Sequence, residues 1–250
     1  MPISVVINTY NAERHLSKVL DAVKDFDEIV ICDMESTDST LDIAKKYGCK
    51  ICTFPKGNIT IVEPARNFAI KAASHEWVLV VDADEVVTPD LRKYLYDIIK
   101  KPDCPKGVFI SRQNMYMGKF IDCWSYDWQL RFVARDNVDW PPTIHAVPQI
   151  DGKVEYAPKK IKIQHLADMT IQQLINKMND YTDNEVIRKA KKNYGTVALF
   201  YRPLWRFIRI YFLEGYFLAG KRGFMKAKMA AVYQTIIVAK LLEKKLRGNN

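Results

Sequence analysis

The sequence predicts an α/β fold, a doubly wound parallel sheet followed by a helical, basic, amphipathic C-terminal region. Three observations carry that prediction. Over the first hundred residues, short Val- and Ile-rich runs alternate with amphipathic helical patterns, and such an order requires crossover connections and therefore parallel strands. Residues 76–85, Glu-Trp-Val-Leu-Val-Val-Asp-Ala-Asp-Glu, are an apolar run closed by three carboxylates, the pattern of a strand buried on both faces that delivers its acids to a loop. Residues 186–250 hold 15 Lys and Arg against 2 Asp and Glu, a net +13, while residues 1–185 are net −4, so the whole excess of +9 is C-terminal.

The first strand covers residues 3–8, and residues 12–24 come after it with Leu16, Val19, Leu20 and Val23 on one helical face. Residues 28–33 form the second strand. Ser and Thr at 36–40 offer N-caps to a helix over 41–47, which Gly48 stops. Residues 50–54 read as the third strand, 58–64 as loop, 65–73 as helix and 77–81 as the fourth strand. Thr88-Pro89-Asp90 supplies an N-cap, a proline at the first helical position and an acid in the first turn, so 91–101 is a helix. Residues 106–111 read as a further strand. The stretch to about 163, rich in Trp, Pro and short β runs, reads as irregular structure over the strand edge. From 170 the pattern is helical, with breaks expected at Gly195, Pro203, Gly215, Gly220 and Gly223. The expected division is a sheet-bearing domain over 1–185, in two parts at 1–105 and 106–169, and a helical, basic tail over 186–250.

Composition narrows the setting. Five cysteines and no charged, then apolar, leader imply a reducing cytoplasm. Cys49 and Cys52 have no second pair with which to build a zinc site. No apolar stretch approaches the ~18 residues of a membrane span.

The strand ends bring acids to one edge: Glu13 after the first strand, Asp33 at the end of the second, Asp82 and Asp84 after the fourth. Open α/β sheets bind ligands at that edge. Carboxylates two apart suit a hard divalent cation, an Asp at a strand end can accept from a base N–H or ribose hydroxyl, and Arg66 could face a diphosphate. Neither Gly-x-Gly-x-x-Gly nor a P-loop comes after the first strand, which excludes the dinucleotide dehydrogenase and P-loop readings.

Residues 5–13 (Val-Val-Ile-Asn-Thr-Tyr-Asn-Ala-Glu), 31–40 (Ile-Cys-Asp-Met-Glu-Ser-Thr-Asp-Ser-Thr), 63–67 (Glu-Pro-Ala-Arg-Asn) and 81–85 (Val-Asp-Ala-Asp-Glu) resemble, in order and spacing, the successive signatures of family 2 glycosyltransferases. Residues 112–118, 127–132, 143–145 and 211–223 resemble the branch that adds glucose to the lipopolysaccharide inner core. The resemblance implies a GT-A fold, a nucleotide-diphosphate-sugar donor with a UDP-sugar as first choice, and Mg²⁺ or Mn²⁺ at the Asp-x-Asp. It also implies inverting transfer to a lipopolysaccharide-core or other glycolipid or glycan acceptor. Carried over, Thr9, Asn11 and Glu13 line the nucleotide, Asp33 reads the base, Arg66 and Asp82 lie beside ribose and diphosphate, and Asp82 and Asp84 serve the metal with Asp84 the principal ligand. Asp127 becomes the base, and Arg131 orients it or an acceptor anion. His145 falls on the acceptor side and His165 among the metal ligands, while His15 and His75 read as surface histidines. The chain departs from the branch at Ala146, where a Glu usually stands after the His. Trp124, Trp128 and Trp140 read either as a sugar-stacking floor or as core.

Arg202, Arg206 and Arg209 form one helical stripe among Leu204, Trp205, Phe207, Ile208, Ile210, Tyr211 and Phe212. That is the composition of a helix lying on an anionic membrane surface, here the inner face of the cytoplasmic membrane. No recognition motif accompanies the charge, so nucleic acid is not an expected partner. Two rivals stay open. Asp82-Ala-Asp84-Glu-Val86 fits the nucleophile motif of haloacid-dehalogenase phosphatases, although that family carries it on its first strand; the other rival is a sugar-nucleotide-binding, membrane-associated protein without catalysis.

Overall fold

The computed structural model describes residues 1–57, 63–141, 148–190, 192 and 194–248. They form two compact units, Met1–Gln113 with Asp127–Leu166, and Asn114–Tyr126 with Ala167–Asn250. In chain order the elements are β1 (Ile3–Thr9), α1 (Glu13–Val23), β2 (Glu28–Asp33), α2 (Thr40–Lys46), β3 (Lys50–Thr53), α3 (Glu63–Ala72), β4 (Trp77–Asp82), β5 (Glu85–Val87), α4 (Pro89–Ile98), β6 (Gly107–Tyr116), β7 (Lys119–Phe120), β8 (Asp127–Ala134), β9 (Val138–Asp139), β10 (Gln149–Ile150), β11 (Val154–Tyr156), β12 (Lys162–His165), α5 (Ile171–Arg188), α6 (Ala198–Ile208) and α7 (Gly220–Arg247).

In the first unit the sheet order is β3-β2-β1-β4-β8-β6-β12-β5. Strands β1 to β4 are parallel, as the alternation of strand and helix requires. Alternate side chains of β1 enter two separate cores: Val5 and Ile7 pack with Leu16, Leu20, Leu91 and Leu95 on one face, Val6 with Val30, Val80, Ala69 and Ile70 on the other. Burial on both faces is why these strands read as unbroken apolar runs.

The strand expected over 106–111 is the start of β6, whereas the expectation of irregular structure from there to about 163 is corrected. Strands β8 and β6 continue the same sheet, β8 antiparallel to β4 with Leu79 opposite Phe132, and β6 antiparallel to β8 with Arg112 opposite Asp127. Trp77 stacks on Phe132 with centroids 5.4 Å apart. The aromatic residues that obscured a strand pattern therefore pack within the sheet's own core. The last pair, β12 with β5, sets His165 opposite Glu85.

The second unit is helical apart from the β6–β7 turn. It begins at Ala167 rather than at residue 186, because α5 belongs with the tail: Lys240 on α7 donates to Asn179 Oδ1 at 2.8 Å and pairs with Asp183 at 2.7 Å. Residues 114–126 join it as well. The Asp168 carboxylate accepts from the Met117 and Gly118 N–H groups at 2.7 and 2.6 Å. Pro203 lies inside α6 and Gly223 inside α7, so neither is a break. A Cβ at Gly223 would stand 1.7 Å from the Tyr216 carbonyl oxygen; the glycine admits a close backbone approach. Among the described residues, no helix is long and apolar enough to cross a membrane.

Candidate active site

The site grows from the edge of the sheet where β1, β2 and β4 end. Thr9 Oγ1 donates to Asp33 Oδ1 at 2.7 Å, and Ser36 donates to the same carboxylate through Oγ (2.6 Å) and N (2.8 Å). Asp33 is 1 % exposed, so its first task is to hold the loop after β2. Asn11 adopts a left-handed backbone, φ 49°, which asparagine tolerates. Its backbone N–H donates to Ser36 Oγ at 2.9 Å, and its Oδ1 accepts from the Thr37 N–H at 2.8 Å. Glu13 Oε2 accepts from the Ser39 N–H at 3.1 Å. Thr9, Asn11, Glu13 and Asp33 are thus brought together where the loops after β1 and β2 hydrogen-bond to each other.

Beyond them runs a chain of ion pairs. Arg66 on α3 donates through Nη2 to Asp82 Oδ1 at 2.7 Å. Arg131 on β8 donates to the other Asp82 oxygen and, at 2.7 Å, to Glu85 Oε1. Arg112 on β6 lies 3.7 Å from the same Glu85 oxygen and donates through Nε to Asp127 Oδ2 at 2.9 Å. Gln129 Nε2 donates to Asp127 Oδ1 at 2.7 Å. Four strands and a helix therefore meet in one alternating ladder, Arg66–Asp82–Arg131–Glu85–Arg112–Asp127.

Burial would push the Asp82 carboxyl up, but Arg131 and Arg66 together hold it well below the usual carboxylate range. Glu85, 0 % exposed, moves the other way: burial outweighs its attraction to Arg131, and the nearby Asp82 charge adds to the rise. Arg131, 2 % exposed, is driven further toward its charged form by Asp82 and Glu85 against the cost of burial.

Two expectations are corrected here. Arg131 does not orient Asp127, because four residues along a strand span about 13 Å. Arg112, directly across the sheet, does so instead, and Arg131 is buried between Asp82 and Glu85. Asp82 has both carboxylate oxygens on guanidinium groups, which does not support the metal half of its expected role. Asp84 and His165 do come together, Oδ2 to Nε2 at 3.2 Å, and the Leu166 N–H fixes the Asp84 carbonyl at 2.8 Å. His145 lies outside the described residues.

Glu85, Arg112 and Gln129 carry the ladder, and the sequence does not single them out; for Glu85 the available signal is an acid embedded in the Val86-Val87 strand. His15 reads from sequence as a surface residue. Burial and Arg14 lower its pKa, and both Asp84 and His165 act on it electrostatically, which sets it near that pair. Trp140 is buried in the second core cluster with its backbone clasped by Asn67, so its reading as core holds, and Trp124 belongs to the second unit. Cys32 and Cys52, not Cys49 and Cys52, are neighbours, across the β2–β3 register.

The family model for glycosyl transferase family 2 matches residues 4–148. The chain belongs to that family. This family 2 glycosyltransferase is similar over nearly its full length to the lipopolysaccharide core biosynthesis glycosyltransferase LpsC of Rhizobium meliloti, 26% identical over 98% of this chain and 93% of the relative. Its fold matches the mannosyltransferase PcManGT of Pyrobaculum calidifontis, a structure with GDP-Man and Mn²⁺, at TM-score 0.55 and 14% identity over 96% of this chain and 87% of that one. It also matches S. aureus TarS 1–349 in complex with UDP, at TM-score 0.54 and 15% identity over 99% and 92%. The fold is GT-A, with a helical C-terminal region, and family membership removes the phosphatase reading.

The donor set can be tested against a divalent cation. Among the described residues no three His, Cys, Asp or Glu side chains are arranged to hold a metal. Asp84 supplies a carboxylate oxygen, and magnesium-type sites commonly use one or two carboxylates with substrate phosphates and water completing the sphere; His165 adds an imidazole nitrogen, a donor better matched to transition-metal cations than to magnesium. Asp84 fits a hard divalent cation, and the pair together fits one that also accepts nitrogen.

Proposed function

We propose that this enzyme transfers a hexose, with inversion, from a nucleoside-diphosphate sugar to a lipopolysaccharide-core or other glycolipid acceptor at the inner face of the cytoplasmic membrane, and that it depends on a divalent cation. The observation that carries the reading is the ladder ending at Asp127, a carboxylate held by Arg112 and Gln129 and joined through Glu85 and Arg131 to the Asp82 strand end. LpsC, a relative along almost the whole chain, acts in lipopolysaccharide core biosynthesis by its name, and that supports the acceptor class. The TarS complex with UDP and the PcManGT complex with GDP-Man support a nucleoside diphosphate donor; a UDP-sugar is the first to assay.

In this reading the loop wall of Thr9, Asn11 and Glu13 receives the nucleoside, with Asp33 Oδ2 toward the base and Arg66 and Asp82 at the ribose and diphosphate. Asp84 and His165 hold Mg²⁺ or Mn²⁺, which when bound offsets charge on the departing diphosphate. Asp127 takes the proton from the acceptor hydroxyl on the face opposite the leaving group. Arg112 and Gln129 each hold one of its oxygens and so fix the carboxylate's orientation, while the lone pair of the hydroxyl oxygen forms the new bond.

The test is Asp127→Asn. Transfer from a UDP-sugar to a deglucosylated core glycolipid should fall by roughly 10²–10⁴, the contribution of a positioned base, while nucleotide affinity measured by calorimetry stays at the wild-type value. An equal loss of both would make Asp127 a binding or structural residue and remove the base from this mechanism.

A further inference from the structure

In the second unit Arg202, Arg206 and Arg209 line one cavity of about 340 Å³ together with Tyr201, Trp205 and Gln234 of α7. The lining holds three guanidinium groups and a carboxamide, and no carboxylate. Arg209 is balanced by Glu214, Nε to Oε1 3.1 Å. Two donors of the same lining, Arg202 Nε and Gln234 Nε2, are buried without a hydrogen-bond partner. An unpaired buried donor costs on the order of 1–3 kcal/mol. Two of them beside an excess of positive charge mark a place built for an anion with several acceptor oxygens. Arg202 is also preorganised, since its guanidinium carbon sits 4.4 Å from the centre of the Tyr194 ring. Planar guanidinium groups match phosphoryl oxygens in pairs.

The surroundings select the carrier of that anion. Phe200, Leu204 and Trp205 stand exposed on α6, and Arg206 lines a second cavity of about 480 Å³ with Met178, Ile210, Met229 and Tyr233. Apolar side chains on both flanks suit a phosphoryl group attached to hydrocarbon better than one free in water.

We propose that this cavity binds the phosphoryl headgroup of a membrane lipid, and a monoester in preference to a diester. A monoester presents three acceptor oxygens and between one and two charges, a diester two oxygens and one charge. The inference rests on the membrane-side part of the proposed function and deepens it, from diffuse attraction of a basic surface to a site with defined residues.

The experiment uses the full-length protein and phosphatidylcholine vesicles containing either phosphatidic acid or phosphatidylglycerol at equal surface charge density. Wild type should sediment more tightly with phosphatidic acid. Gln234→Leu leaves the net charge unchanged and removes one buried donor; it should weaken phosphatidic acid binding by about tenfold, the scale of one hydrogen bond to a charged group, and leave phosphatidylglycerol binding as it was. The Arg202→Gln, Arg206→Gln pair should abolish the preference, whereas Lys221→Gln with Lys244→Gln, an equal loss of charge on α7, should weaken both vesicle types alike. Equal wild-type binding to the two lipids, or no effect of Gln234→Leu, would overturn the site and leave diffuse electrostatics. Inorganic phosphate that binds as tightly as the vesicles and displaces them would overturn the lipid carrier. Hydrolysis of the sugar nucleotide, measured alongside without vesicles, reports on the first unit, so its loss with the lipid preference intact counts against the proposed function and not against this site.

Discussion

At the sheet edge of the first unit, charge is passed from one strand to the next until each acid of the ladder has a guanidinium against it. In the second unit three arginines crowd one cavity with, among the described residues, a single acid partner between them, and Phe200, Leu204 and Leu213 face outward. In the first arrangement every acid is matched by a cation, although Arg66 Nε and Arg131 Nε stay buried without a hydrogen-bond partner. The second leaves both buried donors and apolar surface open, and a surface of that kind is complete only against something external. A change in the first unit should therefore be felt in turnover and stability, and a change in the second in association.

The largest effect belongs to Asp84→Asn. Asp84 and His165 form the pair that fits a divalent cation, and a cation at a leaving diphosphate supplies several kcal/mol of transition-state stabilisation, so turnover should fall by roughly 10³ or more. Chelation of the wild type should reproduce the loss, and donor binding by the variant, measured by calorimetry, should no longer respond to Mn²⁺ or Mg²⁺. Wild-type metal dependence in the variant would remove Asp84 from the metal site.

Arg131→Met tests the matching of charge along the ladder. It strands Asp82 and Glu85 without their shared cation, and removing one partner of a buried ion pair costs about 3–5 kcal/mol. Chemical denaturation monitored through the tryptophan core of the first unit should show that loss. If stability holds, the ladder is ornamental to the fold, and its role is confined to the ligand.

The parallel half of this sheet is legible in the sequence because its signals are local: strand periodicity, the Thr88 cap and the acids at strand ends all survive into the structure. Beyond β4 only the start of β6, read as a strand over 106–111, is legible. The rest of β6 and all of β8 carry mixed, aromatic-rich sequences whose burial depends on neighbours far away in the chain. The misreading of Arg131 has the same root, since an arginine four residues from Asp127 is a neighbour on a helix and about 13 Å away on a strand. Glu85 shows nothing in sequence of the cation that buries it. Gly223 reads as a break because a glycine within a helical pattern usually weakens it, while its use here is the approach of the Tyr216 carbonyl.

Acid sharpens the comparison further. Glu28 joins β2 to its neighbours, accepting from Ser4 Oγ at 2.5 Å and from Ser74 N and Oγ at 2.7 and 2.6 Å, with Lys50 Nζ 3.5 Å away. Burial would raise its carboxyl, but these donors bring it down to about 2. A depressed pKa adds stability that is complete above the unfolded value near 4.5 and is lost as pH falls through 2. The shift corresponds to on the order of 3 kcal/mol. Glu28→Gln should be less stable than wild type at pH 6, with the gap closing toward pH 2; a gap independent of pH would assign the loss to the hydrogen bonds alone.

The smallest effect, and the one that separates the two units most directly, is Phe200→Ser. Phe200 is 78 % exposed on α6, so the substitution removes little packing, and thermal stability should stay within about 0.5 kcal/mol. Burying a phenylalanine side chain in the outer layer of a bilayer recovers about 1.5–3 kcal/mol at most, and partial insertion beside a basic surface should give somewhat less, close to a tenfold change in vesicle affinity. The salt response distinguishes the apolar share from the ionic one. Raising the ionic strength weakens exposed ionic attraction and leaves apolar burial in place, so the ratio of wild-type to variant affinity should be the same at low and high salt even as both fall. A ratio that collapses at high salt would mean that Phe200 contributes only by placing the arginines. An unchanged affinity throughout would show that the exposed face of α6 does not meet the bilayer.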